Sequence, residues 1–207
     1  MYDDVLGEIA LTIIGFVRHG QTAWNKEGRV QGSSNIPLND EGVQAAEKLA
    51  TRLEGEHWDV IVTSPMNRAK HTAEILAARM PNVKVVEDDR VRERSSGLIE
   101  GTTEQERVRK WGPDWRELNM QFETADSVVA RGMEFVEEQI HMNPDKRILV
   151  VSHGSFIKRM IVTLLEDDRY AVTIDNTSLT IIDVEGKSCS LLNCTAHLAG
   201  GTNGDTV

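Results

Sequence analysis

Thr12-Ile13-Ile14-Gly15-Phe16-Val17-Arg18-His19-Gly20-Gln21-Thr22 decides how the rest of the chain reads. An apolar, β-branched run stops abruptly at Arg-His-Gly. A continuous run of this kind, bounded by glycine, predicts a strand buried on both faces. Such strands build the parallel sheets of α/β folds, where ligands gather beyond the carboxyl ends of the strands. Arg18 and His19 therefore fall where an α/β protein keeps its chemistry. Gly20 would let the chain turn sharply and let a ligand approach the backbone.

Downstream of this strand, placed at about Leu11 to Val17, Gly28 to Pro37 reads as a loop. A helix follows, with Asn39 as N-cap, Asp40 and Glu41 in its first turn, and Val43, Ala46, Leu49 and Leu53 as its apolar stripe. Asp59 to Thr63 is a short buried strand, and Ser64-Pro65 reads as N-cap plus N1 of the next helix. That helix carries Ala69, Ala73, Leu76 and Met80, and Val83 to Val86 is a further strand. Residues 94–124 are irregular and glycine-bearing, and predict a partly helical insert. Asp126 to Ile140 is a helix with Val129, Met133, Val136 and Ile140 inward. Arg147 to Ser152 is a second strongly buried strand, followed by a helix over Ser155 to Leu165. Ser178 to Val184 and Ser188 to Leu192 form a hairpin through Glu185-Gly186-Lys187. Alternating strands and helices predict a three-layer αβα fold with a mainly parallel central sheet. Residues 1–9 read as an N-terminal extension and 199–207 as a flexible tail. Residues 10–198 read as one domain, with the insert at about 97–125 lying over the site.

A chain of 207 residues, 40% hydrophobic and 27% charged, suffices for one well-filled core. The net charge of -10 argues against nucleic acid or an anionic membrane as partner, but leaves room for a small anion in a local basic pocket. No run is long enough for a membrane span, and the N-terminus lacks the basic start and cleavage site of a signal peptide. The two cysteines, Cys189 and Cys194, have an odd spacing that puts them on opposite faces of one strand, which disfavours a disulfide. Cys194 and His197 alone make no metal site. The expected location is the reducing cytoplasm.

Two buried strands end alike, in Val17-Arg18-His19-Gly20 and Val151-Ser152-His153-Gly154. A third ends in Thr63-Ser64-Pro65 and opens a helix bearing Arg68, and a fourth is followed by Arg92-Glu93. Two histidines, two arginines and a glutamate thus converge on one sheet edge. Helix N-termini near Ser64 and Ser155 would add N–H donors there. Singly, each residue has an ordinary reading: a surface charge, a strand-end histidine, a solvated glutamate. Jointly they suit a phosphoryl group, because arginine stays protonated and offers planar, bidentate donors.

Arg18-His19-Gly20-Gln21-Thr22-Ala23-Trp24-Asn25 resembles the signature of the histidine phosphatase superfamily, also called the phosphoglycerate mutase-like family. The resemblance runs on through Gln31-Gly32, Pro37-Leu38, Thr63-Ser64-Pro65, Arg68-Ala69 and Thr72-Ala73. It continues through Glu93, Gly97 and Glu100-Gly101 to Ser152-His153-Gly154, and spans about Leu11 to His197. It implies that a neutral His19 is the nucleophile and becomes phosphohistidine. Arg18, Arg68 and His153 would grip the phosphoryl oxygens, with Asn25 as a further donor. Glu93 would protonate the leaving oxygen and then help activate water, a task that needs partial burial. Gln31, Gly32 and Gly154 would border the phosphate and leaving group. No metal or other cofactor is implied.

Within the family, Gln31-Gly32 followed by Pro37-Leu38 looks like the phosphatase branch, although Asn35 stands where that branch often has an acid. The insert is short, and its Arg107, Arg109, Lys110 and Arg116 do not reproduce the basic cap of the mutases. The reading is a metal-independent phosphatase of small phosphomonoesters with broad specificity, acting on a phosphorylated metabolite as a monomer or homodimer. Phosphoglycerate mutase is the alternative, and a silent phosphate-binding domain the alternative from another class. Trp111, Trp115 and Phe122 could line a leaving-group pocket, but ordinary packing of the insert is favoured.

Overall fold

The computed structural model describes residues 11–142 and 144–199. The expected N-terminal extension, and all of the expected tail beyond residue 199, lie outside them. One six-stranded sheet organises the fold. It contains β1 (Ile13–Arg18), β2 (Val60–Thr63), β3 (Lys84–Glu87), β4 (Arg147–Ser152), β5 (Leu179–Asp183) and β6 (Ser188–Cys194). Its order is β3-β2-β4-β1-β5-β6. The first four strands are parallel; β5 runs antiparallel to β1 and pairs with β6 as the expected hairpin. The mainly parallel αβα architecture is the one the sequence predicts.

Strand pleating divides the apolar runs between two cores. Ile14 and Phe16 of β1, with Ile148 and Val150 of β4, face one side and pack with Phe135, Phe156 and Met160. Val17, Leu149 and Val151 face the other, with Leu49, Leu53, Ala73 and Leu76. The helices are α1 (Ala23–Glu27), α2 (Asp40–Leu53), α3 (Asn67–Ala77), α4 (Glu104–Trp111), α5 (Ala125–Met142) and α6 (Gly154–Leu165). α2 and α3 cover the second face, and α5 and α6 the first. Among the described residues no helix is long and apolar enough to cross a membrane.

Several local expectations shift. α1 was not anticipated: Thr22 Oγ1 accepts from Asn25 N, and Asn25 Oδ1 accepts from Thr22 N, a capping box with Asn in the place usually held by Glu or Gln. α3 starts at Asn67, not at Ser64-Pro65, and its N-cap position, Met66, makes no side-chain cap. Ser64 Oγ instead lies 2.8 Å from His153 Nε2. The fully buried positions of α5 include Val128, Gly132, Phe135 and Val136; of the expected stripe, Val136 is buried and Met133 and Ile140 pack partly buried against the same core. A Cβ on Gly132 would stand 2.3 Å from Met160 Sδ, so α6 packs directly on that glycine. Trp115 packs with Ile99 and Met120, and Trp111 and Phe122 lie against them, so the insert's aromatics serve its own small core.

Gly20 has a reason the sequence does not suggest. Its φ is not positive, and a Cβ would meet Gly42 O at 2.6 Å. A Cβ on Gly42 would in turn meet Gln21 O at 2.1 Å. The first turn of α2 and the segment after β1 are in backbone contact, a closeness only paired glycines allow. Gly42→Ala is therefore expected to destabilise the fold by about 1–3 kcal/mol, as overpacking does. The same displacement of the His19 segment should cost on the order of 10²-fold in turnover. Urea unfolding and turnover of the variant measure both; wild-type values would refute the contact's importance.

Candidate active site

β1, β2 and β4 end side by side, which brings Arg18 and His19, the start of α3 and His153 to one edge. His19 is 2% exposed. Its Nδ1 lies 2.7 Å from Gly20 O, so Nδ1 carries the proton and donates it, leaving the Nε2 lone pair free. Burial above all, and then the Arg18 and Arg68 cations, hold His19 well below the usual imidazole pKa, so the ring is neutral. Asn176 Nδ2 donates to His19 O at 2.8 Å, and Thr177 N donates to Arg18 O at 2.9 Å. Thr72 Oγ1 accepts from Gly20 N and donates to Arg68 O. Sequence reasoning missed Asn176, which lies in a loop with no local signal.

Arg68 is fully buried. Nη1 donates to Ser34 O (2.6 Å) and Nη2 to Gly32 O (2.9 Å), while Nε donates to His153 Nδ1 (3.2 Å). Burial, outweighing the pull of Glu93, brings its pKa down to about 10, so the guanidinium remains charged near neutrality. Arg18 is half-buried; Nη1 donates to Ile174 O at 2.6 Å, and Nε is buried without a partner among the described residues. Burial lowers the Arg18 pKa, opposed by Glu93 and Asp175.

His153 is fully buried, its ring centroid 5.1 Å from that of His19. Both its nitrogens have protein partners, Arg68 Nε and Ser64 Oγ. Burial first, then Arg68, hold it well below the usual imidazole pKa as well. Glu93 is half-buried and accepts from Arg94 N (2.8 Å), Phe156 N (3.1 Å) and Ser155 N (3.2 Å). The α6 first-turn N–H groups expected to face a ligand thus hold Glu93. At α3 the Asn67 N–H meets Asn35 Oδ1 at 2.7 Å, which gives Asn35 a structural use. Arg131, itself paired with Glu123 at 2.9 Å, donates to Arg90 O and Arg92 O and so clamps the segment carrying Glu93.

These residues enclose a cavity of about 250 Å³ lined by Arg18, His19, Asn25, Gln31, Gly32, Arg68 and Glu93, together with Arg29, Ser96 and Ser155. Gly32, at φ 49°, has no room for a Cβ, which would strike Glu100 Oε1 at 2.1 Å. Gln31 is buried and its Oε1 has no partner among the described residues. Gly154 borders a second, adjoining cavity. The arrangement presents a neutral imidazole nitrogen between the half-buried Arg18 and fully buried Arg68 guanidinium groups with a carboxyl opposite, which suits nucleophilic capture of a phosphoryl group.

Residues 14–196 match the model of the histidine phosphatase superfamily (branch 1). The uncharacterized phosphatase PhoE of Bacillus subtilis is 32% identical over 92% of this chain and 98% of its own length. Phosphoserine phosphatase 1 of Hydrogenobacter thermophilus is 32% identical over 88% of this chain and 92% of its own. The solved structure of Bacillus stearothermophilus YhfR superposes with a TM-score of 0.80 at 29% identity, covering 90% of this chain and 99% of that one.

The buried neutral histidines set a pH dependence of stability. In the unfolded chain their pKa is about 6.5; in the fold His19 and His153 lie well below, and burial pushes His197 down to about 4. Their contribution is complete above about pH 6.5 and is lost as pH falls from there toward the folded values. The unfolded chain then binds protons that the native chain cannot, at up to about 1.4 kcal/mol per pH unit for each imidazole. Denaturant midpoints taken from pH 7.5 to 5 should fall steadily below 6.5, with a shallower slope in His153→Gln; a flat profile would contradict neutral burial.

Proposed function

The chain belongs to the histidine phosphatase superfamily and is a hydrolase of phosphomonoesters; from that premise we propose that His19 is its nucleophile and Glu93 its proton donor. The observation that carries the reading is the His19 Nδ1–Gly20 O hydrogen bond, which points a free, neutral Nε2 into a cavity flanked by Arg18 and Arg68. Simple phosphate binding needs neither a nucleophile nor an acid.

The substrate phosphoryl group lies against Arg18, Arg68 and Asn25. Nε2 attacks phosphorus as the bond to the alcohol oxygen breaks, and Glu93 gives that oxygen its proton. Water then attacks the phosphohistidine, Glu93 takes a proton from it, and the N–P bond breaks to release inorganic phosphate. The two guanidinium groups are charged and fixed before substrate arrives, so they stabilise developing charge without reorganising. His153 aligns the Arg68 guanidinium through its Nε and, with Arg18 and Arg68, holds the phosphoryl group. Gln31, Gly32 and Gly154 border the phosphate and leaving group, and Gly32 additionally fixes Arg68 through its carbonyl. No metal takes part in any step. The substrate is a small phosphorylated metabolite, and the cytoplasm is its place of action, in keeping with two free, half-buried cysteines.

Hydrolysis of p-nitrophenyl phosphate should survive a chelator and vanish in His19→Ala, and rapid quenching should trap an acid-labile phosphoenzyme. Interconversion of phosphoglycerates without phosphate release would instead indicate a mutase. Phosphate binding without turnover in either assay would indicate a silent domain. Glu93→Gln should cost on the order of 10²–10⁴ with alkyl phosphates and much less with p-nitrophenyl phosphate, whose leaving group departs unprotonated. Equal losses on both substrates would remove Glu93 from the proton-donor role.

A further inference from the structure

The small cavity at His19 adjoins a larger one of about 610 Å³. The two share Arg18, Glu93 and Ser155 as a common wall. The larger chamber has the size of a small-molecule site, and the smaller, at about 250 Å³, lies at its edge around His19. Its apolar side comes from Val129 of α5, Val162 of α6 and Ile174. Its charged side comes from Lys158 and Arg159, both half-buried on α6.

Among the described residues those two cations have no acid partner. Lys158 makes no side-chain hydrogen bond or ion pair among the described residues. Arg159 donates from Nη1 to Ser155 O and Oγ and pairs with no carboxylate among the described residues, which leaves its Nε–Nη2 edge available. Asp168, at the exposed lip, pairs with neither. Yet the chain has 33 acidic against 23 basic side chains, so partners were abundant. Arg94, already lowered by burial, is lowered further by the Arg159 cation, so like charges are crowded here. Crowded, partly desolvated and unpaired cations are unfavourable without a ligand.

We infer that this chamber holds the alcohol portion of the substrate, and that Lys158 and Arg159 bind a carboxylate on it. The inference rests on the phosphatase reading above and deepens it, because the preferred substrates become phosphomonoesters of small hydroxy acids. The ester oxygen lies at the shared wall, beside Glu93. The carbon skeleton runs over Val129, Val162 and Ile174, and the free edge of Arg159 takes the carboxylate as a fork, with Lys158 as a second charge. Ser155 holds Arg159 in this orientation in advance, which lowers the ordering cost of binding.

The test compares kcat/KM of the wild type, Lys158→Met, Arg159→Met and the double variant. Substrates are O-phosphoserine and 3-phosphoglycerate against glycerol 2-phosphate and p-nitrophenyl phosphate, which carry no carboxylate. The wild type should prefer the carboxylate esters. The double variant should lose about 10–100-fold on them, mainly through KM, and change less than about threefold on the others. Lys158→Arg should keep most of the preference, with an unchanged melting temperature. A wild type without preference for the carboxylate esters, or equal losses on both substrate classes, would overturn the assignment. A wild type inert toward all four esters would remove the phosphatase reading and this inference with it, and is distinguished by the silent p-nitrophenyl phosphate control.

Discussion

The fully buried Arg68 guanidinium is the constraint on which the site is built. A charge removed from water is costly unless its donors are met. Here they are met by the Gly32 and Ser34 carbonyls, by the His153 ring and by Met66 Sδ. Three separate pieces of chain are therefore held at fixed distances from one side chain on α3. The loop after α1, the end of β4 and the turn before α3 all depend on that arrangement. Thr72 closes the circuit by joining Arg68 O to Gly20 N, immediately after His19.

Glu93 is positioned by a second, independent device. Its carboxylate is the acceptor for the first turn of α6, so the helix and the proton donor hold each other. Its backbone is fastened by Arg131 from α5 and by Ser152 Oγ, which donates to Val91 O at 2.6 Å. The Arg131–Glu123 pair is nearly buried, which makes the clamp stiff. The two cavities meet at this carboxylate.

Much of this was legible from the residues. β1 and β4 were readable because strands buried on both faces must be apolar throughout, and their abrupt ends in Arg18-His19 and Ser152-His153 marked the functional edge. The Asn39 cap of α2 was readable because it acts within one turn, from Asn39 Oδ1 to Gly42 N. Periodicity found Val136, Met133 and Ile140 of α5, but it could not show that α6 presses on Gly132. The start of α3 was misjudged because Ser64 faces a histidine 89 residues away.

The sequence by itself determined the chemistry: which strands are buried, where they stop, and which imidazole, guanidinium and carboxyl groups stand at those stops. Tertiary structure alone decided the division of labour among them. Only the fold shows His153 joined to Arg68 and Ser64, the α6 amides turned to Glu93, and Lys158 and Arg159 without an acid partner among the described residues beside a large cavity. The reason is range. Burial patterns and caps act over a few residues and are written locally, whereas charge pairing and close backbone approach are settled between segments that meet only when the sheet has formed.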